Sequence, residues 1–367
     1  MKLRYKITSG ILVFLVLSIA SLALVLSHTS ECGQTPAVSG DVKLMQAVVY
    51  RCYGSPDVLE LVEVEKPSIS DNGILVRVHA ASVNPLDWHY MRGLPYIMRL
   101  ETGLGAPKRP RLGVDFAGTV EAVGHNVRQF TPGDAVFGGT YGAFAEYITM
   151  QEHSSLARKP ANITFELAAA VPIAGLTALQ ALRDHGKIYA GQKVLINGAS
   201  GGVGTFAVQI ARAYGAVVTG VSSTRNLDMV RSIGADHVID YTREDYTESE
   251  ARYDLIIDNV GNHPVLANTH VLEPDGRLIL VGAQKGDWLR PLQGVIESIV
   301  ISPFIKQEVK FFLAVLREDD LVTLAELMQS GKVRPVIDRS YPLRDVPAAI
   351  RYLEEGHASG KIVINAE

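Results

Sequence analysis

Apolar positions fall into three textures along the chain. Residues 7–26 form an apolar stretch with one glycine and no charge, preceded by Lys2, Arg4 and Lys6. At helical rise that run is long enough to cross a bilayer, so the pattern predicts an N-terminal signal-anchor or transmembrane helix over 1–28. A cleaved signal peptide is the alternative, but the run exceeds the usual apolar core of one and no AxA-like site follows at 27–31. Residues 29–44, with Pro36, Ser39 and Gly40, read as a linker. In the second texture, short β-rich pieces at 47–50, 73–80, 118–123, 135–137 and 143–149 are broken by glycine and proline, which predicts a compact β-barrel-like unit.

The third texture begins at Phe165. A helix is expected over 167–185, interrupted by Pro172, and apolar strands then alternate with amphipathic helices. The strands are 193–197, 217–222, 237–241, 255–259 and 277–282, with a sixth at 309–315. Helices at 202–214 and 227–233 separate the early ones, the second closed by Gly234. Such alternation means a doubly wound parallel sheet with helices on both faces. Strand-like residues at 336–337 and 361–364 return to the first unit. The expected organisation is therefore a catalytic domain from 45–167 and 318–367, with a dinucleotide-binding domain, 168–317, inserted between them.

Composition narrows this picture. A chain of 367 residues with 47% hydrophobic and 20% charged residues suits two globular domains and speaks against a fibrous or disordered chain. The net charge of −4, with Lys and Arg scattered, excludes nucleic acid as an expected partner. Cys32 and Cys52 are the only cysteines, and neither has a CxxC partner or a nearby His cluster. They read as free thiols, with no structural metal. The basic residues before the leader would send the body across a membrane, whereas nicotinamide cofactors are held in the cytoplasm. The side on which the body lies therefore stays open.

The sharpest motif is GASGGVG at 198–204, directly after a strand and opening a helix. In the GxGxxG frame Ala199 takes the first glycine position, with Gly201 and Gly204 in the second and third. Ser200, Gly202 and Val203 complete the loop. Gly201 would admit the pyrophosphate, Gly204 would let helix and strand pack closely, and the helix N-terminus would offer free N–H groups to the anion. An NAD site would place a carboxylate about 20 residues further on. Here stand Ser222, Ser223 and Arg225, a set suited to a 2′-phosphate, so NADPH is the expected cofactor. A merely solvated Arg225 is the alternative.

GQKVLINGASGGVGTFAVQIAR, from Gly191, resembles the zinc-free quinone oxidoreductase and zeta-crystallin branch of the medium-chain dehydrogenase/reductases. So do YGSPDVLEL from Tyr53, ASVNPLDW from Ala81, RLGVDFAGTVEAVG from Arg111, PGDAVFG from Pro132, AAAVPIAGLTALQAL from Ala168, GADHVIDY from Gly234 and HASGKIVI from His357. The resemblance implies a GroES-like β-barrel catalytic domain with an inserted Rossmann domain. Zinc-dependent relatives carry a cysteine at the position of Asn84 and a histidine at that of Val114, so the resemblance implies a zinc-independent enzyme.

Carried over by motif, Asn84 should lie beside the nicotinamide and Asp87 should hold the same loop in shape. His89 stands where many quinone reductases have a tyrosine, and is a candidate proton donor, with Tyr90 close behind; a partly buried loop histidine with one hydrogen bond is the alternative. Thr177 matches a position near the nicotinamide, Tyr241 an adenosine-side aromatic, and Asn259 with Gly261 the nicotinamide ribose. Gly282 would meet the carboxamide through its backbone, and Lys361 would reach the cofactor from the C-terminal return. The implied activity is NADPH-dependent reduction of a quinone or an α,β-unsaturated carbonyl, with loss of alcohol oxidation for want of a Lewis acid. The alternatives are an alcohol dehydrogenase and a cofactor-binding structural protein without turnover. The strand at 309–315, an apolar edge, would pair with its symmetry mate in a homodimer.

Overall fold

The computed structural model describes the backbone of residues 2–34 and 40–366, and the side chains of these from residue 14 onward. Its strands are β1 (Leu44–Val49), β2 (Glu60–Glu65), β3 (Gly73–Val83), β4 (Asp115–Val123), β5 (Ala135–Gly139), β6 (Tyr147–Gln151), β7 (Leu156–Arg158), β8 (Lys193–Asn197), β9 (Val217–Ser222), β10 (His237–Asp240), β11 (Tyr253–Asp258), β12 (Leu272–Leu280), β13 (Glu308–Phe311), β14 (Ile337–Pro342) and β15 (Lys361–Asn365). Seven of them form one sheet in the order β14-β15-β3-β4-β5-β7, with β6 also on β3. Apart from the parallel pair β14 and β15, its pairs are antiparallel.

The other large sheet is parallel throughout, in the order β10-β9-β8-β11-β12-β13. Strand order reverses direction between β8 and β11, so a crevice opens at their carboxyl ends, where Asn197 and Asp258 are register partners. Continuous apolar strands are what a sheet covered on both faces requires, and Val194, Ile196, Leu255 and Ile257 are fully buried.

Several expectations change in detail. The sixth strand covers only Glu308–Phe311 of the expected 309–315 stretch, and residues 312–317 form no strand. The expected helix over 167–185 is split into Phe165–Ala169 and Pro172–Gln180, followed by a wider helical turn at Ala181–His185. The first break falls where Pro172, at the start of the second helix, cannot donate a helical N–H. The helix Pro85–Arg92 and the strand β2 were not anticipated.

The N-terminal helix, α1, runs over Lys2–Ser27. The membrane-spanning stretch expected at 7–26 rests in part on side chains outside the described residues. Among the described residues no helix is long and apolar enough to cross a membrane. The end of α1 is fastened to the catalytic sheet's loops. Buried Arg99 donates to the carbonyls of Leu26 (3.0 Å) and His28 (2.7 Å), which are orphan acceptors at a helix C-terminus. The same guanidinium lies over the rings of Tyr53 and Tyr96. Residues 29 and 30, read from sequence as the start of a linker, are bonded instead: the Ser30 N–H donates to the Gly105 carbonyl at 2.9 Å. Residues 35–39 of that linker lie outside the described residues.

The two cysteines are not free thiols. Cys32 and Cys52 form a disulfide, with Cα atoms 4.8 Å apart. The docked stem after α1 brings Cys32 to the segment after β1, a proximity that a sequence separation of 20 does not reveal.

Candidate active site

The phosphate loop joins β8 to the helix Gly202–Ala213. The residue in the left-handed conformation is Gly198, at φ 74°, so Gly198 makes the tight turn assigned from sequence to Ala199. Ala199 is fully buried under it. A side chain at Gly204 would begin 2.1 Å from the Gly198 carbonyl oxygen, which makes glycine obligatory where helix and strand cross. A Cβ on Gly201 would meet only the Gly198 carbonyl oxygen, at 3.4 Å, so the backbone there is left accessible to a pyrophosphate. Val203 packs against the core and holds the loop from behind.

Beside the loop lies a hydroxyl and amide cluster. The Asn226 amide donates to Ser200 Oγ at 3.2 Å and to Ser223 Oγ at 3.4 Å, and Ser359 Oγ donates to Asn226 Oδ1 at 2.9 Å. Arg225 donates to the His357 carbonyl. Ser222 Oγ is buried without a hydrogen-bond partner, an orphan that a ligand hydroxyl or phosphate would satisfy. Asp240, the register partner of Ser222, is occupied by Thr224 and Thr242, and the Thr224 hydroxyl is the main cause holding its carboxyl below the usual range. Tyr241 follows it with an exposed ring, while its N–H donates to the Ser222 carbonyl. This group fits an adenosine 2′-phosphate. Asn226 and Ser359 were missed from sequence; the segment HASGKIVI carried the signal, but only its lysine was taken.

At the crevice, the Asn259 amide donates to the Asn197 carbonyl at 2.9 Å and leaves its Oδ1 buried and unpaired. A Cβ on Gly282 would sit 2.0 Å from the Asn259 carbonyl oxygen, so the ends of β11 and β12 meet as bare backbone. Gly261 and Gly282 line a cavity of 160 Å³. Thr177 is spent inside its own helix, donating to the Ile173 carbonyl at 2.7 Å.

A polar knot lies beneath the catalytic loop. Fully buried Asp115 accepts from Ser82 Oγ, Asn84 Nδ2 and the Ile173 N–H, each within 3.0 Å. Lys361, 3% exposed, donates to Asn84 Oδ1 at 2.6 Å and to the Val83 carbonyl at 3.0 Å, with Asp115 at 3.4 Å. Its ammonium is thus held on the Asn84 loop, and its stem passes the phosphate loop near Gly202. Burial pushes its pKa down, against the pull of the Asp115 and Asp87 carboxyls. The knot ties β3, β4, β15 and the helix Pro172–Gln180 into one support.

Asn84 opens the helix Pro85–Arg92, with Pro85 in its first turn. Asp87 accepts the Asn84 N–H at 2.7 Å and the Gly113 N–H at 3.1 Å, which fixes the loop in shape. Burial raises its pKa to about 7. His89 stacks on Trp88 and donates from Nδ1 to the Leu94 carbonyl at 2.6 Å. Burial lowers its pKa, so the ring is neutral at pH 7. Tyr90 instead faces a cavity of 270 Å³ lined by Tyr50, Asp87, Arg109, Arg111, Val114 and Tyr141 among others, which His89 does not line. The Tyr90 and Tyr141 hydroxyls are 2.9 Å apart. Burial, and then Tyr141, raise the Tyr90 pKa, so this phenol stays protonated. Among the described residues no group of three or more His, Cys, Asp or Glu side chains could hold a metal ion.

Residues 70–161 match the alcohol dehydrogenase GroES-like domain and residues 233–364 the zinc-binding dehydrogenase family. The chain is 33% identical to the mitochondrial NAD(P)H oxidoreductase RTN4IP1 of Mus musculus, with 88% of this chain and 89% of the relative covered. It is 34% identical to the chloroplastic NADPH-dependent alkenal/one oxidoreductase of Arabidopsis thaliana, covering 88% and 80%. The chain belongs to the medium-chain dehydrogenase/reductases, in their zinc-free quinone oxidoreductase branch. Among solved structures, the Escherichia coli quinone oxidoreductase complexed with NADPH superposes with a TM-score of 0.74 at 26% identity, covering 87% of this chain and 99% of that one. As a member of this family the protein is an oxidoreductase. The donor set at the position of the family's metal agrees with the branch: Val114 offers no ligand, and the Asn84 amide is engaged on both sides by Asp115 and Lys361.

Proposed function

We propose that this chain is an NADPH-dependent, zinc-independent reductase of quinones or α,β-unsaturated carbonyls. The observation that carries the reading is the 270 Å³ cavity, walled by phenols and guanidinium groups beside the Asn84 loop, in a protein whose other cleft residues fit a phosphorylated dinucleotide. The names of the relatives, as quinone and alkenal/one reductases, support it. NADPH supplies hydride when bound. The loop N–H groups at the start of the helix Gly202–Ala213 take its pyrophosphate, and Ser200, Ser223 and Arg225 take the 2′-phosphate. Asn259 and Gly282 receive the nicotinamide half.

At the acceptor, the two phenols do the work that the metal does in zinc-dependent relatives. Tyr90 and Tyr141 share one hydrogen bond but own two protons, so one O–H is left to point at the developing oxyanion and to supply the proton. We assign this donor to Tyr90, and to His89 the task of holding the turn through Leu94. Purified full-length protein should oxidise NADPH with quinones and enones, insensitive to chelators, and should not oxidise simple alcohols. A chelator-sensitive alcohol oxidation would replace this reading with the alcohol dehydrogenase one, and tight NADPH binding without turnover would favour the structural role.

Two further parts of the reading concern assembly. We take α1 as the attachment to a membrane, and the edge strand β13 as the seam of a homodimer. Exposed Ile299, Val300, Phe304 and Leu313 near that edge support the seam, since an open strand edge flanked by apolar side chains invites pairing. Carbonate extraction of membranes tests the first, and the mass of the detergent-solubilised protein tests the second.

A further inference from the structure

The wall of the acceptor cavity carries an excess of positive charge that nothing in the protein uses. Lys108, Arg109 and Arg111 line it, against Glu101 and Asp87. Asp87 is committed to two backbone N–H groups, so its negative charge is directed into the loop. Arg109 lies over the Tyr141 ring, 4.1 Å from its centre, and so leans across the phenol pair. Among the described residues Arg111 has no hydrogen bond and no carboxylate partner, although its guanidinium is half-buried and burial lowers its pKa. Its position is set by both neighbours: its backbone bridges to Val49, and the guanidinium lies where a side chain on Gly142 would begin, within 3.5 Å. Gly142, at φ 87°, holds a conformation that a side chain would strain. The guanidinium therefore stands at the cavity with its charge unpaired and only partly in water, where an arriving anion gains more than at an open surface.

We propose that the acceptor is itself an anion: a flat unsaturated carbonyl bearing a carboxylate or a comparable acidic group, which Arg111 pairs with while the reacting carbonyl faces Tyr90. Arg111 then decides specificity rather than chemistry, because it grips the acid at a distance from the bond that is reduced. Arg109 and Lys108, exposed at the cavity, draw the anion in. This inference rests on the reductase reading for the identity of the reacting group, but not for the acid.

The test compares 6-oxohept-4-enoate with its methyl ester, in which two methylenes separate the acid from the alkene, so that the enone is the same and only the charge differs. The wild-type full-length protein with NADPH should prefer the acid by about thirtyfold in kcat/KM, the scale of one charge-assisted pair. Arg111→Gln should bring the acid-to-ester ratio of kcat/KM to about one with the affinity for NADPH within about twofold, and Arg111→Lys should restore part of the preference. Binding of the saturated 6-oxoheptanoate to the NADPH-loaded protein, followed by calorimetry, needs no turnover. It should be lost in Arg111→Gln even if the enzyme proves not to reduce enones, so the two readings fail separately. Equal use of acid and ester by the wild type, together with no binding of the saturated acid, overturns the proposal. So does an Arg111→Gln variant that binds the saturated acid as well as the wild type.

Discussion

Around the phosphate loop, the groups proposed to meet the cofactor are backbone amides and glycines of one continuous stretch, 197–204, with a hydroxyl cluster at its side. The proposed acceptor cavity is walled instead by residues 50, 87, 90, 101, 102, 108, 109, 111–114 and 141, which come from four separate stretches of chain. The first region has little freedom: a Cβ at Gly204 meets a carbonyl at 2.1 Å, so its composition is dictated by close packing. The second tolerates many side chains, because only a volume and a few polar groups are specified. One fold can therefore keep its reductant fixed and vary its acceptor, and the two regions should respond differently to substitution.

The largest expected effect sits at the acceptor end. Tyr90→Phe should lower kcat by about a hundredfold with NADPH affinity unchanged, the usual scale for loss of a positioned proton donor. His89→Ala should cost less than about threefold in kcat, measured with the same acceptor. A large loss in the histidine variant and a small one in the phenylalanine variant would return the donor to His89. At the cofactor end, Arg225→Ala should weaken NADPH by about tenfold and leave NADH unchanged, read by fluorescence titration. Equal losses for both cofactors would assign the phosphate elsewhere.

The smallest effect separates the two regions by pH. The Asp87 carboxyl rises from an ordinary value of 3.8 to about 7 in the folded protein, chiefly through burial. Between those values the folded state binds more protons than the unfolded one, so stability falls as pH rises from about 4 to about 7. Above pH 7 the full cost of the buried charge is present. Thermal unfolding followed across this range should lose that slope in Asp87→Asn. A melting temperature with the same pH dependence in both proteins would remove Asp87 as its source.

How much could be read in advance follows the same division. The parallel sheet was legible because strands buried on both faces must be apolar throughout, and the loop because a pyrophosphate needs glycine at fixed spacing. Even there, the turn fell to Gly198 rather than Ala199, since backbone conformation is not written in a motif frame. Lys361 was singled out by its motif, but its approach to Asp115, a partner 246 residues away, is not written there. Arg111 passed without notice in the sequence. Its interest lies in what it fails to touch, and only a folded chain can show that. The disulfide was misread for a similar reason, because Arg99 and the Gly105 carbonyl decide where the stem lies.

That disulfide makes the chain from Cys32 to Cys52 a closed loop. A protease that cuts once between residues 33 and 51 would produce two fragments in sequence but not in space. The helix α1 would stay joined to the catalytic sheet, and whatever α1 adheres to would keep the enzyme with it. For a cut inside that loop, reduction must follow before the body comes free, so release by that route would answer to two separate agents, one proteolytic and one reducing.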